Sequence, residues 1–205
     1  PMANINVDVY EEIEFEVGSH PAEVGQTDST YINIVSKSGG NSFGGGATVY
    51  LTNERLSQDL VSPEEIAAFK VNPPEKFTDS KDFSLNIGGP ILEDKAWFFL
   101  AGRRSTWKQA MPGNPEVRMK NLGFTSLHYD YDHREWLGFG KLTIQFTKDI
   151  RYMGMLHYNN IYEPVYQNSG GGDTSFEDTE VWDHEKTYTT THQVNWVIDQ
   201  NTFLD

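Results

Sequence analysis

Cysteine is absent from this 205-residue sequence, so it can hold no disulfide framework and no thiolate-based zinc or redox site. Basic residues are scarce. The 16 Lys and Arg stand against 30 Asp and Glu, and the net charge of −14 would repel a phosphate backbone, which excludes an ordinary nucleic-acid binder. Long apolar runs are missing as well: the longest, Ala96 to Ala101, has six residues, whereas a membrane-spanning helix needs about 20. No signal-peptide pattern is visible near Pro1. Aromatic surface, by contrast, is plentiful at 13% of residues, although the mean hydropathy is −0.57. That aromatic content argues against a disordered chain, and the length is enough to bury a sizeable core.

The acid is concentrated. Residues 1–25 hold Asp8, Glu11, Glu12, Glu14, Glu16 and Glu23 without a base, and residues 164–185 hold Asp173, Glu177, Asp178, Glu180, Asp183 and Glu185 without one. The plain reading is a solvated acidic surface. The functional alternative is attraction of a cationic ligand or of Ca²⁺.

Hydrophobic alternation predicts strands almost throughout. Ile13, Phe15 and Val17 alternate with Glu12, Glu14 and Glu16, a half-buried strand. Tyr31–Val35 is a second β-prone run, and Ser38–Gly39–Gly40–Asn41 ends it as a turn. Ser42–Asn53 follows as a Gly-rich start to another strand. One helix is predicted, with Ser62 as N-cap, Pro63 in the first position and Glu64 and Glu65 in the first turn, running to Phe69. Beyond residue 80 the pattern becomes regular. Phe83, Leu85 and Ile87 oppose Ser84, Asn86 and Gly88, and Leu142, Ile144 and Phe146 oppose Lys141, Thr143 and Gln145. Leu156 and Tyr158 oppose Met155 and His157, and Val194 and Trp196 oppose Gln193 and Asn195. Lys95–Trp107 is aromatic on both faces and leaves its inward side open.

Short turns at Glu93–Asp94, Lys148–Asp149 and Asp199–Asn201 alternate with long polar stretches near 54–79, 108–133 and 163–184. Strands of about 12 residues with one apolar face, joined by alternately short and long turns, suit a transmembrane β-barrel with tight periplasmic turns and long outer loops. Trp97, Trp107, Trp136, Tyr152 and Trp196 fall near strand ends, where interfacial girdles sit. A soluble β-sandwich alternates too, and a sandwich that binds glycans or cations through acidic loops stays open on pattern alone.

Two longer segments resemble a known family. Ala22–Glu23–Val24–Gly25–Gln26, followed by Ile32–Asn33–Ile34–Val35–Ser36–Lys37–Ser38–Gly39–Gly40–Asn41–Ser42–Phe43–Gly44, resembles the end of the plug domain of TonB-dependent outer-membrane receptors as it runs into the first barrel strand. Phe83 to Phe99, with Gly88–Gly89–Pro90 and the Asp94–Lys95 turn, resembles a hairpin of the Oar-like subgroup, and Asn195 to Leu204 is similar to its later strand–turn–strand segments. Val24 stands where the family has Tyr, and Ser29–Thr30–Tyr31 replaces a Gly-rich approach. The resemblance implies an all-β fold, an antiparallel transmembrane β-barrel of which about seven strands of some 22 are present, preceded by the C-terminal part of a plug. Residues 1–40 would be the plug tail and 41–205 the first barrel strands, a piece of a longer chain. It also implies a bacterial outer-membrane location, import of a ligand energised by TonB–ExbB–ExbD, contact with outer-membrane lipids, and room for a lipoprotein partner or for handling of peptides and proteins.

Chemistry-bearing clusters are few. His128, Asp130, Asp132 and His133 sit within six residues of a predicted loop, where His128, Asp130 and Asp132 share one face of an extended chain. Asp173, Glu177 and Asp178 could meet Ca²⁺, but they lack the spacing of a defined calcium loop. These seven residues are the candidate ligand contacts, and no resident metal is expected. Gly39–Gly40 and Gly44–Gly45–Gly46 lack the Lys-Ser/Thr and the helix of a phosphate loop. Met153 and Met155 are expected to pack inward rather than to hold a cofactor. No Ser–His–Asp grouping has an interpretable context, so no catalysis is expected; a β-rich secreted hydrolase is the third alternative.

Overall fold

The structure, a computed structural model, describes residues 7–16, 31–56, 62, 64–65, 68, 77–110, 130–167, 180–199 and 202–204. After a 3₁₀ turn at Val7–Val9, β1 (Tyr10–Glu16) and β2 (Tyr31–Ser36) pair as an antiparallel ribbon. The other strands are β3 (Gly44–Asn53), β4 (Phe77–Leu92), β5 (Ala96–Ala110), β6 (Asp130–Thr147), β7 (Ile150–Gln167), β8 (Glu180–Asp199) and β9 (Thr202–Leu204). They form one seven-stranded sheet in strict sequence order, every neighbour antiparallel. The protein is therefore all-β and antiparallel. Among the described residues the sheet does not close, and it has no second sheet of similar size stacked on it as a sandwich requires.

β4 to β8 are longer than the 12 or so residues expected, at 16, 15, 18, 18 and 20. Eighteen residues of strand span about 60 Å. The expected loops near 108–133 and 163–184 are correspondingly cut back, because pairing continues through polar residues: Lys108 lies opposite Asp132, and Ala110 opposite Asp130. Backbone ladders need no apolar side chains, so polarity alone is a poor mark of a strand's end.

The two faces differ. Register and alternation put Val49, Leu51, Phe83, Leu85, Ile87, Leu100, Trp136, Phe146, Leu156, Val194 and Trp196 on one face, and all of them are exposed. The opposite, inner face carries Asp82, Ser84, Arg103, Ser105, His133, Glu135, Lys141, Thr143, His157 and Asn159. β5 is no longer ambiguous: Phe99, Ala101 and Arg103 face inward and Leu100 outward, since Phe99 pairs with Lys141 and Arg103 lies opposite Ser84. Trp97 and Trp107 share that inner face, so they are not part of an outer aromatic girdle. Trp97 bonds to Asn41 and Trp107 stacks on His133.

The described core lies between the inner face and the N-terminal segment. Val9 is 1% exposed and packs with Phe99 and Phe139, and Tyr10, Ala101 and Met155 surround them. Phe99 and Phe139 meet as tilted rings with centroids 6.0 Å apart. Ile13 and Phe15, expected on a half-buried face of β1, are exposed at 38% and 65%: β1 docks by its start, and the rest of its apolar stripe meets no described layer. In the predicted helix, Ser62 and Glu65 form the capping box. The Glu65 N–H donates to Ser62 Oγ at 3.2 Å and the Ser62 N–H to Glu65 Oε2 at 2.9 Å; Glu64, Glu65 and Ala68 have helical backbone.

Candidate functional site

The polar inner wall and the segment seated on it form the candidate site. The 3₁₀ turn and β2 reach the wall through a short series of bonds. Ser84 Oγ donates to Asp8 Oδ2 at 2.5 Å, and Lys141 Nζ donates to Ser36 O and Oγ, each at 3.0 Å. Ser36 Oγ in turn donates to Met155 Sδ at 3.4 Å. Lys37 ties the segment to itself, its N–H donating to Val9 O and its Nζ to Asp8 O, both at 2.8 Å. Burial against the wall pushes the Tyr10 hydroxyl above the ordinary tyrosine pKa.

Behind Lys37 the chain crosses the short-turn end of the β4–β5 hairpin. Asn41 fastens it there. Its Nδ2 donates to Asp94 Oδ1 at 2.5 Å, and its Oδ1 accepts from the Asp94 N–H at 3.0 Å and from Trp97 Nε1 at 2.7 Å. Asp94 takes a positive φ of 61° to make this turn, a conformation that Asp tolerates better than most residues. Gly39 passes so close to the sheet that a Cβ would lie 2.1 Å from Phe98 O. At Gly89 a Cβ would lie 2.3 Å from the Phe43 ring. Gly88 is buried against Phe99, with Pro90 opposite Trp97 and Gly40 in open space. The run Lys37, Ser38, Gly39, Gly40, Asn41 and the run Gly88, Gly89, Pro90 are thus brought together, 47 or more residues apart in sequence. Ala22, Glu23 and Gly25 lie outside the described residues.

Toward the long-loop end the wall becomes acidic. Arg103 grips Asp82 with two prongs, Nε donating to Oδ1 at 3.0 Å and to Oδ2 at 2.9 Å while Nη2 also reaches Oδ2. His133 is buried, stacks on Trp107 with centroids 4.9 Å apart and 16° between planes, and donates from Nδ1 to Glu163 Oε1 at 2.5 Å. Glu135 is 4% exposed, and among the described residues its Oε1 meets no hydrogen-bond donor; nor does the enclosed Oδ1 of Asn159.

This changes the expected ligand cluster. Asp130, Asp132 and His133 lie in strand β6 rather than in a loop, because the β5–β6 ladder continues through them. A strand turns successive side chains to opposite faces, so Asp132 and His133 part: Asp132 accepts from Arg134 Nη2 at 2.6 Å, and His133 turns inward to Glu163. His128, Asp173, Glu177 and Asp178 lie outside the described residues. Among the described residues no three His, Asp or Glu side chains converge closely enough to hold a metal. Sequence reasoning missed Glu163, Glu135, Asn159, Arg103 and Lys141 as site residues. For Glu135, Asn159 and Lys141 the available signal was their place on the polar face of an alternating strand; Glu163 fell in an expected loop and Arg103 on a strand whose inward side the sequence left open.

These strands make a long antiparallel meander with one bare apolar face and one polar face that carries a separate segment. Over 95 residues, 46% of this chain, the sequence is 27% identical to a TonB-dependent transporter, Oar, of Myxococcus xanthus. The match spans only 9% of that protein's length. No family model matches, and no solved structure matches.

Proposed function

We propose that this chain is part of a TonB-dependent outer-membrane receptor of the Oar-like kind, in which β3–β9 are consecutive barrel strands and the segment through about residue 40 is the end of the plug. An unidentified ligand is imported past the plug, energised by TonB–ExbB–ExbD, or peptides and proteins are handled as in Oar-like members. The reading includes no catalytic step. The observation that carries it is the division of faces: a broad apolar band, including Leu85 at 62%, Leu100 at 52% and Phe146 at 64% exposure, lies on one side, and the docked N-terminal segment lies on the other. In water such a band invites aggregation. In a bilayer it is solvated, while the ladder satisfies the backbone. Further strands of a longer chain would pair the free edges of β3 and β9 and close the barrel.

The full-length reading frame, expressed in a Gram-negative host, is expected in the outer-membrane fraction, with heat-modifiable migration on a denaturing gel. Recovery as a soluble monomer without detergent would overturn the reading. Sidedness is tested by a pair of variants. Leu156→Arg on the apolar face is expected to cost about 2–4 kcal/mol in lipid, and Thr191→Arg on the inner face much less. Equal effects would refute the assignment of faces.

A further inference from the structure

We propose that the inner wall of β6 and β7 holds a subsite for a primary ammonium group, with Glu135 and Asn159 as its acceptors. Glu135 lies opposite Ser105 on one side and Ile161 on the other, and Leu137 lies opposite Asn159, so Glu135 and Asn159 are diagonal neighbours on the same inward face. Glu135 is 4% exposed, yet among the described residues its Oε1 has no donor, and the enclosed Asn159 Oδ1 has none. Buried oxygens are nearly always paired, and an unpaired carboxylate oxygen is the costliest kind to leave bare.

The nearest cation does not answer the need. Arg103, diagonal to Glu135 across the β5–β6 ladder, spends its guanidinium edge on Asp82. Arg103 faces three carboxylates, Asp82, Glu135 and Asp8, and spends its hydrogen bonds on Asp82, so among the described residues the patch keeps an excess of negative charge. A group that fills this place must be small, because the site is enclosed. It must be cationic, because the patch is negative. It must also present more than one donor, because two oxygens wait. A primary ammonium has three donors in a tetrahedral array and fits all three conditions. The Ser105 hydroxyl, opposite Glu135 in the ladder, offers a third acceptor. Calling the ammonium part of a cargo rests on the transport reading; its binding to the wall does not.

The test uses the full-length protein in detergent and two salts at equal ionic strength. n-Butylammonium chloride supplies charge and N–H donors, whereas tetramethylammonium chloride supplies charge alone. Butylammonium is expected to raise the unfolding midpoint saturably and tetramethylammonium to leave it unchanged. Glu135→Gln is expected to weaken butylammonium binding at least about tenfold. Asn159→Leu, which keeps the wall carboxylate and serves if Glu135→Gln does not fold, is expected to weaken it several-fold. Equal responses to the two cations, no saturable rise with butylammonium (an enclosed water then suffices), or unchanged affinity in both variants would each overturn the subsite. None of these outcomes bears on the cell fraction in which the protein is found, so the subsite and the receptor reading can fail separately.

Discussion

Gly39 and Gly40 are adjacent, identical in chemistry and opposite in surroundings, which makes them a matched experiment. A Cβ on Gly39 would lie 2.1 Å from Phe98 O, 2.9 Å from Gly89 O and 3.0 Å from the Phe98 carbonyl carbon, all main-chain atoms of paired strands. Relief requires the linker to lift by about 1 Å, since the sheet cannot give way there without breaking its ladder. Overpacking of this kind costs about 1–3 kcal/mol. Lifting also strains the three bonds of Asn41, two residues on, each worth about 1 kcal/mol. Gly39→Ala is therefore expected to destabilise docking of the N-terminal segment by about 2–4 kcal/mol. A Cβ on Gly40 meets nothing within 4 Å, and its φ is one that other residues adopt. Gly40→Ala is thus expected to be neutral, or stabilising by up to about 1 kcal/mol through the unfolded chain. The assay is thermal unfolding of the full-length protein in detergent, with limited proteolysis of the segment before Asn41 as the local readout. Equal behaviour of the two alanine variants would refute the close crossing.

Two further outcomes are expected. His133→Ala and Glu163→Gln are each expected to cost about 1–3 kcal/mol, and the double variant less than their sum because the two share one buried bond; additive losses in thermal unfolding would mean that the pair is not coupled. Glu65 is held below the ordinary carboxylate range by hydrogen bonds from the Ser62 backbone and hydroxyl. A lowered folded-state pKa gives stability that is present above the unfolded value of 4.5 and is lost as pH falls through the folded one. A carbon-detected titration of Glu65 should accordingly move up toward 4.5 in Ser62→Ala, and an unmoved titration would contradict the capping box.

The Asn41 clamp and the Lys141–Ser36 contact give the inner wall two distinct roles. At the short-turn end it anchors the linker through bonds to a turn and an indole. Farther up, it holds β2 by one ammonium group and a hydroxyl.

Period-two alternation by itself determined that the chain is all-β, which strand faces are apolar and where the short turns fall, because a strand's side-chain period is two and tight turns demand particular residues. It could not determine how far the strands run, since hydrogen-bonded pairing between Lys108 and Asp132 is indifferent to side-chain polarity. Nor could it turn the doubly aromatic β5. Phe98 and Phe99 are equivalent in sequence, and only pairing with Lys141 and burial against Val9 select Phe99 for the inside. The glycines of Lys37–Asn41 and Gly88–Pro90 read as turn and strand-end signals. Their reason, close passage of one backbone over another, exists only once residues half a hundred positions apart are packed together. The same holds for the site: His133 and Glu163, like Glu135 and Asn159, become neighbours through the register of β6 on β7, which follows from long-range hydrogen bonding and has no local sequence mark.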